Sequence, residues 1–153
     1  MAYITNEARQ DLLDGMADAI EQIGIALAAL GGAYELLDER TADRLEEELF
    51  RPVQVAYGRA QRAHTGFAER YGLPVRKFGP GTAGAVPSQG VRVYLDRAVE
   101  AVADADDTLA ELQDSMLPVE VGDPELRAGL ADVRAHVGEL RGRARELVRT
   151  LGR

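Results

Sequence analysis

Cysteine and tryptophan are absent from these 153 residues, and aromatic residues make up only 5% of them. Without thiols there can be no disulfide and no thiolate-held metal, and the redox compartment stays open. With so few aromatics the core falls to Leu, Val, Ile and many alanines, side chains that suit closely packed helices better than a sandwich or barrel. Lysine is almost missing too: Lys77 stands alone beside abundant arginine. Basic residues number 18 against 26 acidic ones, a net charge of −8. Phosphate binding needs a basic face, so nucleic acid is not an expected partner. The opening MAYITNEARQDLLDG has no basic segment followed by an apolar core, so it does not read as a signal peptide. The longest uncharged apolar run falls short of the ~20 residues of a membrane span. The expectation is a cytoplasmic, single-domain protein over 1–153 with no membrane partner.

What is present is helical periodicity. Apolar residues alternate at spacings of three and four, the pattern of helices packed along a heptad seam. The first set is Leu12, Met16, Ala19, Ile23, Ala26, Leu30, Ala33 and Leu37, widened by Leu13, Ile20, Leu27 and Tyr34. Its phase runs unbroken through Gly31-Gly32 and predicts one helix over about 5–37. Thr41 is the expected cap of a second helix, 41–72, with Leu45, Leu49, Val53, Ala56, Ala60, Ala63 and Phe67 inside and a kink at Pro52. Ser88 is expected to cap a third, 88–116, with Val91, Leu95, Ala98, Val102, Ala105, Leu109, Leu112 and Met116 in its seam. The stretch DPEL at 123–126 is a strong start signal for a fourth, 124–151: Asp123 as cap, Pro124 in the first turn, Glu125 near the positive dipole end.

Four matched amphipathic helices make an all-α four-helix bundle. The loop 73–87 is rich in Gly and Pro and should be the most mobile internal segment. Fully extended it reaches ~50 Å, barely the bundle's length. Up-down-up-down order is therefore expected, with a ferritin-like crossover between the second and third helices as the alternative.

Functional signals are few. Gly79-Pro80-Gly81-Thr82-Ala83-Gly84 spells G-x-G-x-x-G, but no strand precedes it, and it reads as a connector rather than a dinucleotide loop. Arg76, Lys77 and a helix start near Ser88 are the components an anion site there would use. Glu100, Asp104, Asp107, Glu111 and Asp114 form an acidic stripe facing away from the seam, and the 46–48 glutamates read as the same solvated surface. The two histidines share a context, Arg-Ala-His, at His64 and His136. In a crossover bundle they would approach the places of ferritin-like metal ligands, but Gln61 and Val133 stand where that motif needs glutamate. A phosphotransfer histidine would want H-x-x-K-G, which neither site has. Neither Ser88 nor Ser115 has a histidine nearby in sequence. The reading is thus a non-enzymatic, self-associating bundle without cofactor that acts in protein–protein interaction. A metal-binding bundle using His64 and His136 is the alternative, and a histidine phosphotransfer bundle the third.

The uncharged run IGIALAALGGAY, 23–34, points to where self-association would occur. On the first helix Ala17, Gly24, Ala28 and Gly31 fall away from the seam, bordered by Ile25 and Gly32, so its middle is small or apolar all round. The expected cover is the same helix of a second copy, giving a two-fold homodimer, with the similar stripe Ala128, Ala131, Ala135, Gly138 and Gly142 on the fourth helix as the second-choice surface. The intrachain rival is that loop 73–87 folds back over this face with Phe78 and Val86.

Overall fold

The computed structural model describes the backbone of residues 2–151 and the side chains of residues 6–151. Six α-helices build four rods: α1 (Ala2–Leu36); α2 (Glu39–Leu45) continued by α3 (Arg51–Arg70); α4 (Val91–Asp114), followed by the short α5 (Leu117–Val121); and α6 (Pro124–Leu151). No strand occurs among the described residues. The all-α four-helix-bundle expectation is met.

The heptad seams are the core. On α1 every residue from Leu12 to Ala33 of the expected seam is buried, and Leu45 to Phe67 on the second rod are buried apart from Ala63. So are Leu95 to Leu112 on α4 and Leu126 to Leu147 on α6. Alanines fill many of these positions, so the rods approach closely, and a narrow gap beside Met16, Ala60 and Leu109 measures only about 10 Å³. That is room for no more than about one water. Within α1 an 18-residue window has mean hydropathy 1.2, long and apolar enough to cross a membrane by length and composition, yet 56% of it is buried against the other rods.

Boundaries were altered by local chemistry. The second rod starts two residues earlier than expected, because Asp38 rather than Thr41 is the cap: its carboxylate accepts the Thr41 N–H at 2.9 Å. This bond, helped by the Thr41 hydroxyl, holds the Asp38 carboxyl below its usual range. The expected disturbance at Pro52 appears as a π-helical turn, Glu46–Phe50, where the Arg51 N–H reaches back to the Glu46 carbonyl. Pro52 offers no N–H to the preceding turn and its ring crowds the carbonyl there, so the helix widens just before it. On α4 the cap is Gly90, with φ +91°, not Ser88. At its far end α4 stops at Asp114: the Ser115 hydroxyl donates to the Leu112 carbonyl at 2.6 Å and turns the chain. Met116, expected in the seam, is 63% exposed as a result. Asp123 caps α6 as expected, accepting the Leu126 N–H at 3.1 Å.

Side-chain pairs fix how the rods run. Against α1, α4 descends: a Cβ on Gly15 would meet Leu112, Gln22 bonds Thr108, and Gly32 faces Tyr94. The second rod also descends against α1, with Arg9 over Tyr71 and Gly24 beside Tyr57. The rod α3 and α6 pair antiparallel through Arg59–Asp132 and Arg70–Asp123, and α4 and α6 through Arg141–Asp106 and Arg134–Gln113. Both α3 and α4 thus run against α1 and therefore parallel to each other. Their connection must travel the bundle's length, which corrects the up-down-up-down expectation to the crossover alternative. The loop is long enough for this even with a bend at Gly84, φ +66°, and residues 73–86 are tied at intervals to Glu21 and Gly24 of α1, Tyr57 of α3 and Tyr94 of α4.

Candidate functional site

The crossing segment, 73–86, forms a strap over α1. At its lower end Arg76 pairs with Glu21. Next Phe78 stands edge-on to the His64 ring, centroids 5.3 Å apart. The Tyr57 hydroxyl then donates to the Gly79 carbonyl at 3.4 Å, and higher up the Tyr94 hydroxyl donates to the Ala85 carbonyl at 3.3 Å. Between these, Gly81 lies on Gly24: a Cβ at Gly81 would stand 2.6 Å from the Gly24 carbonyl. Residues Gly81, Ala83 and Ala85 are half-buried while Thr82, Gly84 and Val86 are exposed, so alternate residues of the strap face the bundle, with a bend at Gly84, φ +66°.

This geometry answers for the first helix's uncharged face. Ala17 and Gly24 are buried within one chain, and Gly32 sits against Tyr94. Ile25, Ala28 and Gly31 stay partly open, and a Cβ on Gly31 would meet nothing within 4 Å. The face expected to await a second copy is therefore occupied around Gly24 by the strap. Phe78 is part of that cover, but Val86, also expected to be, is 53% exposed.

The two histidines are not brought together. His136 lies on α6, its Nε2 3.1 Å from the Pro52 carbonyl. His64 sits more than three turns further along α3, roughly 18 Å at ~1.5 Å per residue, too far to share an ion. His64 is 3% exposed and so out of reach of a phosphodonor. Its burial pushes the ring's pKa below the ordinary value of 6.5, and the Arg76 charge adds to this. A hydrogen bond with the Leu13 backbone and the charge of Asp14 oppose the shift. Its Nδ1 is buried with no hydrogen-bond partner. Sequence reasoning missed this position: the expected seam ran Ala60, Ala63, Phe67, whereas Ala63 is only partly buried and the buried residue is His64, against the Leu13 backbone of α1 and Phe78 of the strap.

Among the described residues no group of three or more His, Asp or Glu side chains could hold a metal ion. The acidic stripe from Glu100 to Asp114 is exposed as expected. The anion-site components do not assemble: Arg76 is committed to Glu21 at one end of the strap, and Ser88 precedes α4 at the other. The groove beside the strap, about 290 Å³, is open and lined by Glu21, Tyr57, Lys77 and Thr82. Ser115 is spent on its turn.

A stripe of small residues lies open on α6, bordered by Asp106 of α4 at Gly138 and by Pro118 and Val119 of α5 near Ala128 and Ala131. Ala128, Ala131, Ala135, Gly138 and Gly142 are all exposed along the outer side of α6. At 100° per residue they share one stripe, with Arg127, Arg134 and Arg141 along one edge and Glu125, Asp132, Glu139 and Glu146 along the other. No family model, curated protein or solved structure matches this chain.

Proposed function

We propose that this chain is a non-catalytic, self-associating bundle that works through protein–protein contact, with a second copy of itself seated on the outer face of α6. The observation that carries the reading is the uncharged Ala128–Gly142 stripe, exposed over five positions of a helix whose other exposed residues are largely charged. Small residues at spacings of three and four let two helix backbones approach closely. The flanking charges bear on the direction through their exposed sides, Arg134 and Arg141 already holding Gln113, Asp106 and Asp107, and Asp132 holding Arg59, within the chain. A two-fold axis along the helix turns one copy's arginine edge toward the other's acidic edge, whereas antiparallel pairing would set like charges together. Parallel pairing of α6 with its mate is thus favoured.

Helix α1 is the lesser surface. Around Gly24 a partner would have to displace the strap, and of the remaining face Ile25, Ala28, Gly31 and Gly32 are no more than partly open. Light scattering at tens of micromolar protein tests the reading, an ordinary working range for homodimers of modest affinity. Wild type is expected to be dimeric and Ala135→Glu monomeric with unchanged helicity. A monomeric wild type, or an Ala135→Glu variant that stays dimeric, overturns it.

A further inference from the structure

His64 is an ionisable group at the hinge between the bundle and its strap. The ring is closed in by Phe78 from the strap and by the Leu13 backbone from α1. The charged groups that act on it are Asp14 on α1 and Arg76 on the strap, and Arg76 is already paired with Glu21. Toward α6, the neighbouring position on α3, Ala63, lies against Gly129, and the groove there is also lined by Arg59, Arg62, Arg70, Glu125 and Asp132. Nothing in this packing accepts a proton-bearing Nδ1, which lies buried and unpartnered. A neutral imidazole can leave one nitrogen bare, but a charged one must place two N–H donors. Leu73, Phe78, Ala83 and Ala85 pack the strap against the core, and the Leu73 N–H bonds the Ala68 carbonyl at its start, but beyond that its polar ties to the helices are one exposed ion pair and two long hydroxyl–carbonyl bonds of 3.4 and 3.3 Å. A segment with weak polar ties and half-buried side chains opens before the rest of a fold.

We propose that the strap is an acid-released latch: His64 takes up a proton only when Phe78 leaves its ring and water reaches Nδ1, so acidification lifts residues 73–86 from α1. Opening uncovers Phe78 and the Gly24 face of α1. The closed latch keeps the ring neutral below the pH at which a free imidazole charges, while the open latch lets it charge. The open state therefore binds more protons. Closure is fully held above about pH 6.5 and weakens as pH falls from there through the lowered closed-state value, by at most about tenfold in open population per pH unit.

The test is nuclear magnetic resonance of the whole chain between pH 7.5 and 5.5, following the His64 ring and the strap amides of Gly79, Gly81 and Gly84. In wild type the strap amides are expected to move toward random-coil positions in step with the His64 ring, while α6 amides away from His136 stay fixed. His64→Leu should make the strap insensitive to pH, and His136→Ala should leave its response intact. Strap amides that stay still while His64 titrates, or that respond equally in His64→Leu, overturn the proposal. Should His64→Leu fail to fold, Phe78→Ala decides. It is expected to raise the ring's titration toward the free value of about 6.5, and an unchanged titration contradicts the latch.

Discussion

Small residues at heptad-type spacings mark α1, at Ala17, Gly24, Ala28 and Gly31, and α6, at Ala128, Ala131, Ala135, Gly138 and Gly142. On α1 the stripe is closed at Ala17 and Gly24, and the main chain of Gly81 rests on that of Gly24. On α6 all five positions are exposed, and a Cβ on Gly142 would meet nothing within 4 Å. The same pattern thus serves two purposes, and the difference lies outside it. The α1 stripe lies on the path of a crossing segment that brings glycines of its own, whereas among the described residues the α6 stripe is approached only at its edges, by Asp106 of α4 at Gly138 and by Pro118 and Val119 of α5 near Ala128 and Ala131. A small-residue face tells that a backbone can come close. Which backbone does so is decided by topology.

Glycine replacements sharpen this contrast, beginning with the largest effect. A Cβ on Gly32 would overlap the Tyr94 ring, so Gly32→Ala should destabilise by about 1–3 kcal/mol in denaturant unfolding. Its neighbour Gly31 has open space, and Gly31→Ala should instead stabilise by roughly 0.5–1 kcal/mol through helix propensity. Equal effects at these adjacent glycines would break the distinction between covered and open positions on α1. Gly81→Ala should cost less than Gly32→Ala, about 1 kcal/mol, because the strap can lift from Gly24 where a packed ring cannot move. On the bare face, Ala135→Glu should leave the chain's own unfolding free energy within about 0.5 kcal/mol of wild type, measured at a concentration where both are monomeric. A large loss there would mean that α6's outer side is covered within one chain after all. Smallest of all is the ionic seam of α4 and α6, where Arg141 donates to Asp106 at 3.0 Å and Asp107 at 2.7 Å. The melting temperature of Arg141→Gln should lie slightly below wild type in low salt and converge on it in high NaCl.

The seams of all four rods could be read from the sequence because heptad spacing records burial by neighbouring helices. That is why Leu12 to Ala33 and Leu126 to Leu147 were recognisable. Helix ends were less legible. Asp38 and Thr41 are both good caps, and only geometry shows that the carboxylate of one takes the N–H of the other. Ser115 ended α4 early by turning its hydroxyl to Leu112, leaving Met116 outside a seam that its spacing fitted. The crossover was illegible because length alone bounds a loop's reach without saying whether anchors along the way hold it across the bundle. Those anchors, Tyr57, Tyr94 and Glu21, look like ordinary surface residues until the strap lies beside them. For the same reason His64 and His136 share a local sequence and not an environment. One is sealed by Phe78 and the other is bonded to the Pro52 carbonyl.

The absence of cysteine makes the central claim open to a direct measurement. Ala128→Cys, Ala135→Cys and Gly142→Cys, each the single thiol of its chain, would place a sulfur on the two-fold axis of a parallel α6 pair. Disulfide formation needs Cα atoms within roughly 7 Å, so only a contact of that closeness is reported. Under mild oxidation all three are expected to form covalent dimers rapidly, while Ile25→Cys on α1 remains largely uncrosslinked. Rapid dimers from Ile25→Cys with none from the three α6 variants would contradict the account.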